Sequence, residues 1–185
     1  MAIFFTSDLH LGHEVILKYR PRFQTVEEMD ETILRNWNRK VTERDEVYFL
    51  GDLTFQSKHR ADYYLQQMKG RKHLIVGNHD QEWMVQLEDV TKFFESIQDM
   101  KVLDLEDKCM TLCHFPMLEW YGSRYGKPSY LLHGHIHART HLLSYHYIKE
   151  HLPNALNVGV DVNEYEPVTF EELLENNQRW YQRAD

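Results

Sequence analysis

The chain has 185 residues, enough for one domain with a substantial core, and its 42% hydrophobic and 27% charged content excludes a disordered or fibrous protein. A formal net charge of −8 with no long basic run argues against a large non-specific DNA-binding surface, while leaving room for a nucleotide or single phosphate held by a metal. No apolar run approaches the ~20 residues of a membrane span, no signal-peptide pattern opens the chain, and the two cysteines, Cys109 and Cys113, suit reduced core thiols; a cytoplasmic protein is the expectation.

In chain order, the apolar run "AIFFTS" (2–7) predicts a buried strand that ends abruptly at Asp8. Thr25 and Glu28 form a capping box, and Val26, Met29, Ile33 and Trp37 then recur at helical spacing on one stripe. "EVYFLGD" (46–52) predicts a second strand, 58–69 a helical stretch and "HLIVGNHD" (73–80) a third strand, together suggesting parallel βαβ units. The rear half reads as short strands, "KVLDLED", "KCMTLCH", "SYLLHGH" and "ALNVGVD", with little helix between them. A second capping box, Thr169 with Glu172, opens a C-terminal helix, "FEELLENNQRWYQ". With no repeat and no linker, residues 1–185 are expected to form a single α/β domain.

Within "YLLHGHIHAR" (130–139), His133, His135 and His137 alternate, so an extended chain would gather them on one face. Taken alone the segment fits a His-rich solvated strand edge as well as a metal site. The other strand ends change the balance. They carry Asp8, His10 and His13; Asp52; Asn78, His79 and Asp80; and His114. In open α/β sheets the carboxyl ends of strands form the ligand crevice, so five separated segments aim metal-capable side chains at one region. A lone Asp at a strand end is usually a turn former and a lone His a core residue, but their coincidence after five apolar runs favours a metal site.

In order, "DLH", "GD", "GNHD", a single "H" and "GHIH" resemble the five motifs of the calcineurin-like metallophosphoesterases across residues 8–137. The tail "NVGVD" (157–161) resembles the strand that closes the sheet in small bacterial and phage-type members. The resemblance implies an α/β/β/α sandwich of two mixed β-sheets flanked by helices, with two metals at the strand ends. By the same resemblance Asp8, His10 and His137 would hold the first metal and Asn78, His114 and His135 the second. Asp52 would bridge both, and His79 would be the catalytic histidine. His133 lies outside the motif.

Two cations roughly 3.5–4 Å apart would clamp phosphoryl oxygens and turn a bridging water into hydroxide near neutral pH. Only a carboxylate offers the two oxygens a bridge needs, which suits Asp52. Asn78 adds a carbonyl oxygen without cancelling charge, leaving a net positive site for an anionic substrate. His79, if protonated, could stabilise developing charge or donate to the leaving oxygen, and in-line attack without a phosphoenzyme is the expected course. Mixed N/O ligation admits manganese, iron or zinc; magnesium suits four histidines less well.

His13 and Arg139 are candidate substrate contacts. Arg20, Arg22 and Arg124 are weaker candidates for a phosphate fork. Asp80 could orient His79 or cap the next helix, and the aromatic stretch 115–130 could stack on a ring or tuck onto the core. His59, His73, His141, His146 and His151 read as surface or structural. A small phosphodiester or nucleotide is the preferred substrate class. The alternatives are a phosphomonoesterase, a catalytically silent scaffold of the same fold, or a nuclease; autonomous duplex binding is not expected.

Overall fold

In the computed structural model, residues 1–122 and 126–183 are described. Two four-stranded sheets face each other. The first contains β1 (Ile3–Thr6), β2 (Glu46–Phe49), β3 (Arg71–Ile75) and β4 (Ser96–Gln98), in that order and parallel throughout. The second contains β5 (Met100–Asp104), β6 (Cys109–Cys113), β7 (Ser129–His133) and β8 (Ala155–Asn157); β5 runs antiparallel to β6 and the others are parallel. The edge of β1 is joined to the rear half by single bridges, Phe5 to Val168 and Ser7 to Gly159.

Side-chain alternation along the strands produces the layers. Phe4, Val47, Phe49 and Leu74 point outward into a core shared with helix α1 (Val26–Lys40), whose buried stripe is Val26, Met29, Ile33 and Trp37. Their neighbours Phe5, Tyr48, Leu50 and Ile75 point inward and meet Leu112, Leu132, Leu156 and Val158 of the second sheet. On that sheet's far face, Leu131 and Ala155 pack with Ile148 of helix α4 (Leu143–His151) and Trp180 of helix α5 (Phe170–Arg183). The α/β/β/α sandwich follows from this alternation.

The Thr169–Glu172 capping box forms in full, whereas at α1 the Glu28 carboxylate accepts the Gln24 N–H at 2.9 Å in place of that of Thr25. Thr25 accepts from the Glu28 N–H at 3.1 Å, and Thr169 and Glu172 exchange reciprocal bonds of 2.9 and 3.4 Å. Two short helices complete the front half, α2 (Ala61–Leu65) and α3 (Asp80–Met84). The sparse-helix expectation for the rear half needs correction: α4 is a full helix between β7 and β8. Both cysteines are free, Cys109 buried and Cys113 partly so. Among the described residues no helix is long and apolar enough to cross a membrane.

Candidate metal centre

The loops that leave the strands are fastened to one another before any side chain is considered. Asp8, His10 and Leu11 donate their N–H groups to the carbonyls of Gly51, Asp52 and Leu53 at 2.9, 3.1 and 2.9 Å. Helix α1 secures the same loop from outside, where Asp30 accepts the Gly12 N–H on both carboxylate oxygens at 3.0 and 2.9 Å. Asp80 is fully buried and accepts from the N–H groups of Gly77, Asp52 and Leu53 and from Trp83 Nε1, at 2.7 to 3.1 Å. It therefore neither orients His79 nor caps α3, whose N-cap is His79 itself. Asp80 staples the second strand end to the third.

Close approach is possible because Gly77 and Gly134 lack side chains. A Cβ on Gly77 would collide with Asp52, and one on Gly134 with Ser7 and Asp8. The backbone is strained where the side chains converge: Asp8, His10, Asp52, His135 and His137 have φ of 56°, 50°, 60°, 69° and 51°. For residues with a Cβ this left-handed region costs on the order of 1–3 kcal/mol each, a cost typical of functional loops.

Two compact groups of candidate ligand atoms result, Asp8 with His10 and His137, and Asp8 with Asp52 and His114. Asp8 is common to both groups, and Asp52 of the second reaches toward the first, with Oδ2 3.6 Å from Nε2 of both His10 and His114. Nε2 of His137 is 3.7 Å from Asp8 Oδ1. Asn78 Oδ1 meets Nε2 of His114 at 3.0 Å and Nδ1 of His135 at 2.8 Å. All seven sequence-expected ligands thus come together, although Asn78 and His135 lie at the exposed lip and the others are buried.

Hydrogen bonds on the far ring nitrogens fix which atom faces inward. His114 Nδ1 donates to Leu50 O at 2.7 Å, and His137 Nδ1 is held by Asp161 Oδ2 at 2.7 Å, so Nε2 of each ring faces the cluster. His10 is buried with neither ring nitrogen paired among the described residues, an expensive state that a cation would relieve. Burial pushes the Asp52 carboxyl up to about 7; His114 opposes the rise and the Asp8 carboxylate adds to it. Burial also lowers His10, with His137 and Arg20 adding to the effect. Burial works against charge on His137, but Asp161 and Asp8 outweigh it and raise that imidazole. Crowded buried carboxylates, an unpaired imidazole and a mixed N/O set fit divalent cations.

His79 sits beside this cluster, its ring 5.5 Å from His10 and 4.1 Å from Phe55, while its N–H donates to Asp52 Oδ1 at 2.9 Å. His13 is half-buried, with its ring 5.6 Å from His10 and 5.2 Å from Phe55. Arg139 lies with its guanidinium 4.7 Å from the Tyr19 ring, and its Nε is buried without a hydrogen-bond partner among the described residues. Phe115 packs its ring edge-on against His114 and His135.

Arg20 is not a phosphate fork: it is fully buried and occupied by Asp161 and by the carbonyls of Asp8 and Leu9. Arg22 is exposed, near Glu164 and over the Phe23 and Tyr165 rings. Arg124 lies outside the described residues. His133 is buried in the sheet with Nδ1 against Gly134 O, as expected for a residue outside the motif. Sequence reasoning missed Asp161 and Phe55. The acid ending "NVGVD" repeats the strand-then-acid signal of the earlier motifs, whereas Phe55 follows "GDLT" without any marker.

Two layered sheets whose strand ends gather buried Asp and His groups able to hold metal define the architecture of a metallophosphoesterase. The chain belongs to the calcineurin-like phosphoesterase superfamily, whose domain matches residues 1–159 and whose members are generally metal-dependent hydrolases. It is 34% identical over 175 residues to an uncharacterized protein of Methanocaldococcus jannaschii, covering 93% of this chain and 89% of that one. A stretch of 79 residues is 40% identical to the gene 66 protein of Mycobacterium phage L5, covering 41% of this chain and 38% of the phage protein. Among solved structures, a protein of unknown function from Aquifex aeolicus is similar with a TM-score of 0.71 and 27% identity, over 94% of this chain and 97% of that one.

Proposed function

We propose that residues 1–185 form a single-domain, binuclear metal-dependent phosphoesterase acting on a small phosphodiester or nucleotide. Asp8, His10 and His137 would hold one cation, Asn78, His114 and His135 the other, and Asp52 would bridge them. The observation that carries this is the position of Asp52, with one oxygen equidistant at 3.6 Å from a histidine of each set. When bound, the cations supply charge for the phosphoryl oxygens and acidify the attacking water.

The chain's own residues do the rest. The Gly77 and Gly134 close contacts and the Asp80 staple hold the carboxylates in fixed positions, so little reorganisation is needed as charge develops. His79 stands at the edge of the cluster and donates a proton to the leaving oxygen. Arg139 and His13 are the substrate contacts, Arg139 as a cation whose Nε has no hydrogen-bond partner among the described residues. An intact ligand set together with His79 favours an enzyme over a silent scaffold.

The test compares hydrolysis of bis-para-nitrophenyl phosphate with that of the monoester in protein loaded with manganese, zinc or iron. Metal-dependent turnover that favours the diester is expected, with inversion at a chiral phosphorus. Faster monoester turnover would move the assignment to a phosphomonoesterase, net retention would exclude direct attack, and inactivity of fully metallated protein would leave a binding scaffold.

A further inference from the structure

The region beyond residue 159 is not a passive tail on the matched domain. Asp161 projects from the loop after β8 and its side chain is only 7% exposed. One oxygen holds Nδ1 of His137 at 2.7 Å; the carboxylate also takes two bonds from Arg20, 2.7 Å to Nε and 3.2 Å to Nη2. Arg20 in turn donates to the Asp8 carbonyl at 2.6 Å and the Leu9 carbonyl at 2.8 Å. A single buried ion pair therefore touches the ring of one candidate ligand and the backbone of another, both from the Asp8, His10 and His137 set.

The same histidine is held a second time through its backbone. Asn157 donates to the His137 carbonyl at 2.9 Å, and the Asn157 carbonyl receives bonds from Asn163 and from Asn177 of α5, each at 3.0 Å. Asn176 continues the network to Asn163 at 3.0 Å. Among the described residues the other set meets this network only through Asp8, whose carboxylate accepts the His135 N–H at 3.1 and 3.0 Å; the His114 ring is anchored by the Leu50 carbonyl, and His135 and Asn78 lie at the open lip.

We propose that Asp161, braced by Arg20, is a positioning residue that sets the affinity of the cation held by Asp8, His10 and His137 and leaves the second cation unaffected. The inference rests on the two-cation assignment above. A carboxylate on Nδ1–H fixes the ring orientation and makes Nε2 a better donor, and loss of such a partner typically weakens metal affinity by about 10–100-fold. The two Arg20 bonds hold the Asp161 carboxylate aimed at the His137 ring, so the effect requires both members.

The experiment titrates manganese alone into metal-free wild-type and Asp161→Asn protein, with stoichiometry from calorimetry and the spin-coupled manganese signal followed by electron paramagnetic resonance. Wild type should bind two ions with a coupled signal. Asp161→Asn should keep one ion at wild-type affinity, bind the other about 10–100-fold more weakly, and give an uncoupled signal at one equivalent. Because Asp161→Asn leaves Arg20 buried without its partner charge, Arg20→Gln/Asp161→Asn, which removes both charges, is measured alongside. Unchanged affinity for both ions, equal loss of both, or failure of both variants to fold would overturn the proposal. Fewer than two ions in wild type would instead remove the binuclear assignment on which it stands.

Discussion

Gly77 is where the third strand end presses closest on the second, and Gly77→Ala perturbs the centre without removing any ligand. The added methyl would collide with Asp52 Oδ1 and lie 2.8 Å from Asp52 N and 2.9 Å from His114 Nδ1. Ordinary contact begins at 3.4 Å, so each neighbour must give by about half an ångström and the carboxylate by more. Neither yields freely: Asp52 N is bonded to Asp80 at 2.9 Å and His114 Nδ1 to Leu50 at 2.7 Å. Overpacking of this kind costs about 1–3 kcal/mol, which at this size lowers the melting temperature by roughly 2–4 °C per kcal/mol. A displacement approaching 1 Å in a catalytic constellation costs about 10²-fold in rate, so kcat should fall roughly 10- to 100-fold. Steady-state diester hydrolysis at saturating manganese, with melting curves in the same buffer, measures both. Wild-type kcat and melting temperature in Gly77→Ala would refute the claim that Asp52 is held in a fixed, crowded position.

Two further outcomes are expected. His79→Gln should lower kcat by about 10²–10⁴-fold with manganese stoichiometry unchanged, and the loss should be larger for poor leaving groups; equal losses for phenolate and alkoxide leaving groups would argue against proton donation. Asp30 is raised to about 6, mainly by burial, with the Gly12 N–H and the Tyr64 hydroxyl acting in the opposite direction. An acid whose folded pKa exceeds its unfolded value binds protons more tightly when folded, so its contribution favours folding at low pH and is lost as pH rises from about 4 through 6. Asp30→Asn removes that loss, on the order of 2 kcal/mol after allowance for its partial exposure, so the variant should gain several degrees over wild type between pH 4 and pH 7 in thermal melts. A constant difference across that range would show that Asp30 does not titrate there.

What was legible in the sequence was whatever repeats locally. Strands β1 to β3 each announce themselves by an apolar run that stops at an acid or amide, and the helix stripe of Met29, Ile33 and Trp37 has its Thr25 cap at the expected offset. Helix α4 was not legible because its buried face is only Tyr145 and Ile148 and its N-cap is Leu142, which offers no capping side chain. Strand β4 is only three residues, two half-buried and one exposed, and carries no alternation to read. At the site the seven candidate ligand positions could be read because each follows a strand. The partnership of Arg20 with Asp161 could not, since 141 residues separate the two and either alone looks like a surface charge. Asp80 shows the limit most plainly: its place after His79 suggested an orienting role or a helix cap, while the fold uses it to tie two loops together.

The measurement that bears most directly on the account is an anomalous difference map from crystals grown with manganese. Two peaks are predicted, both in contact with Asp52, one also reached by Asp8, His10 and His137 and the other by Asn78, His114 and His135. A single peak, or peaks at which Asp52 touches only one ion, would contradict it.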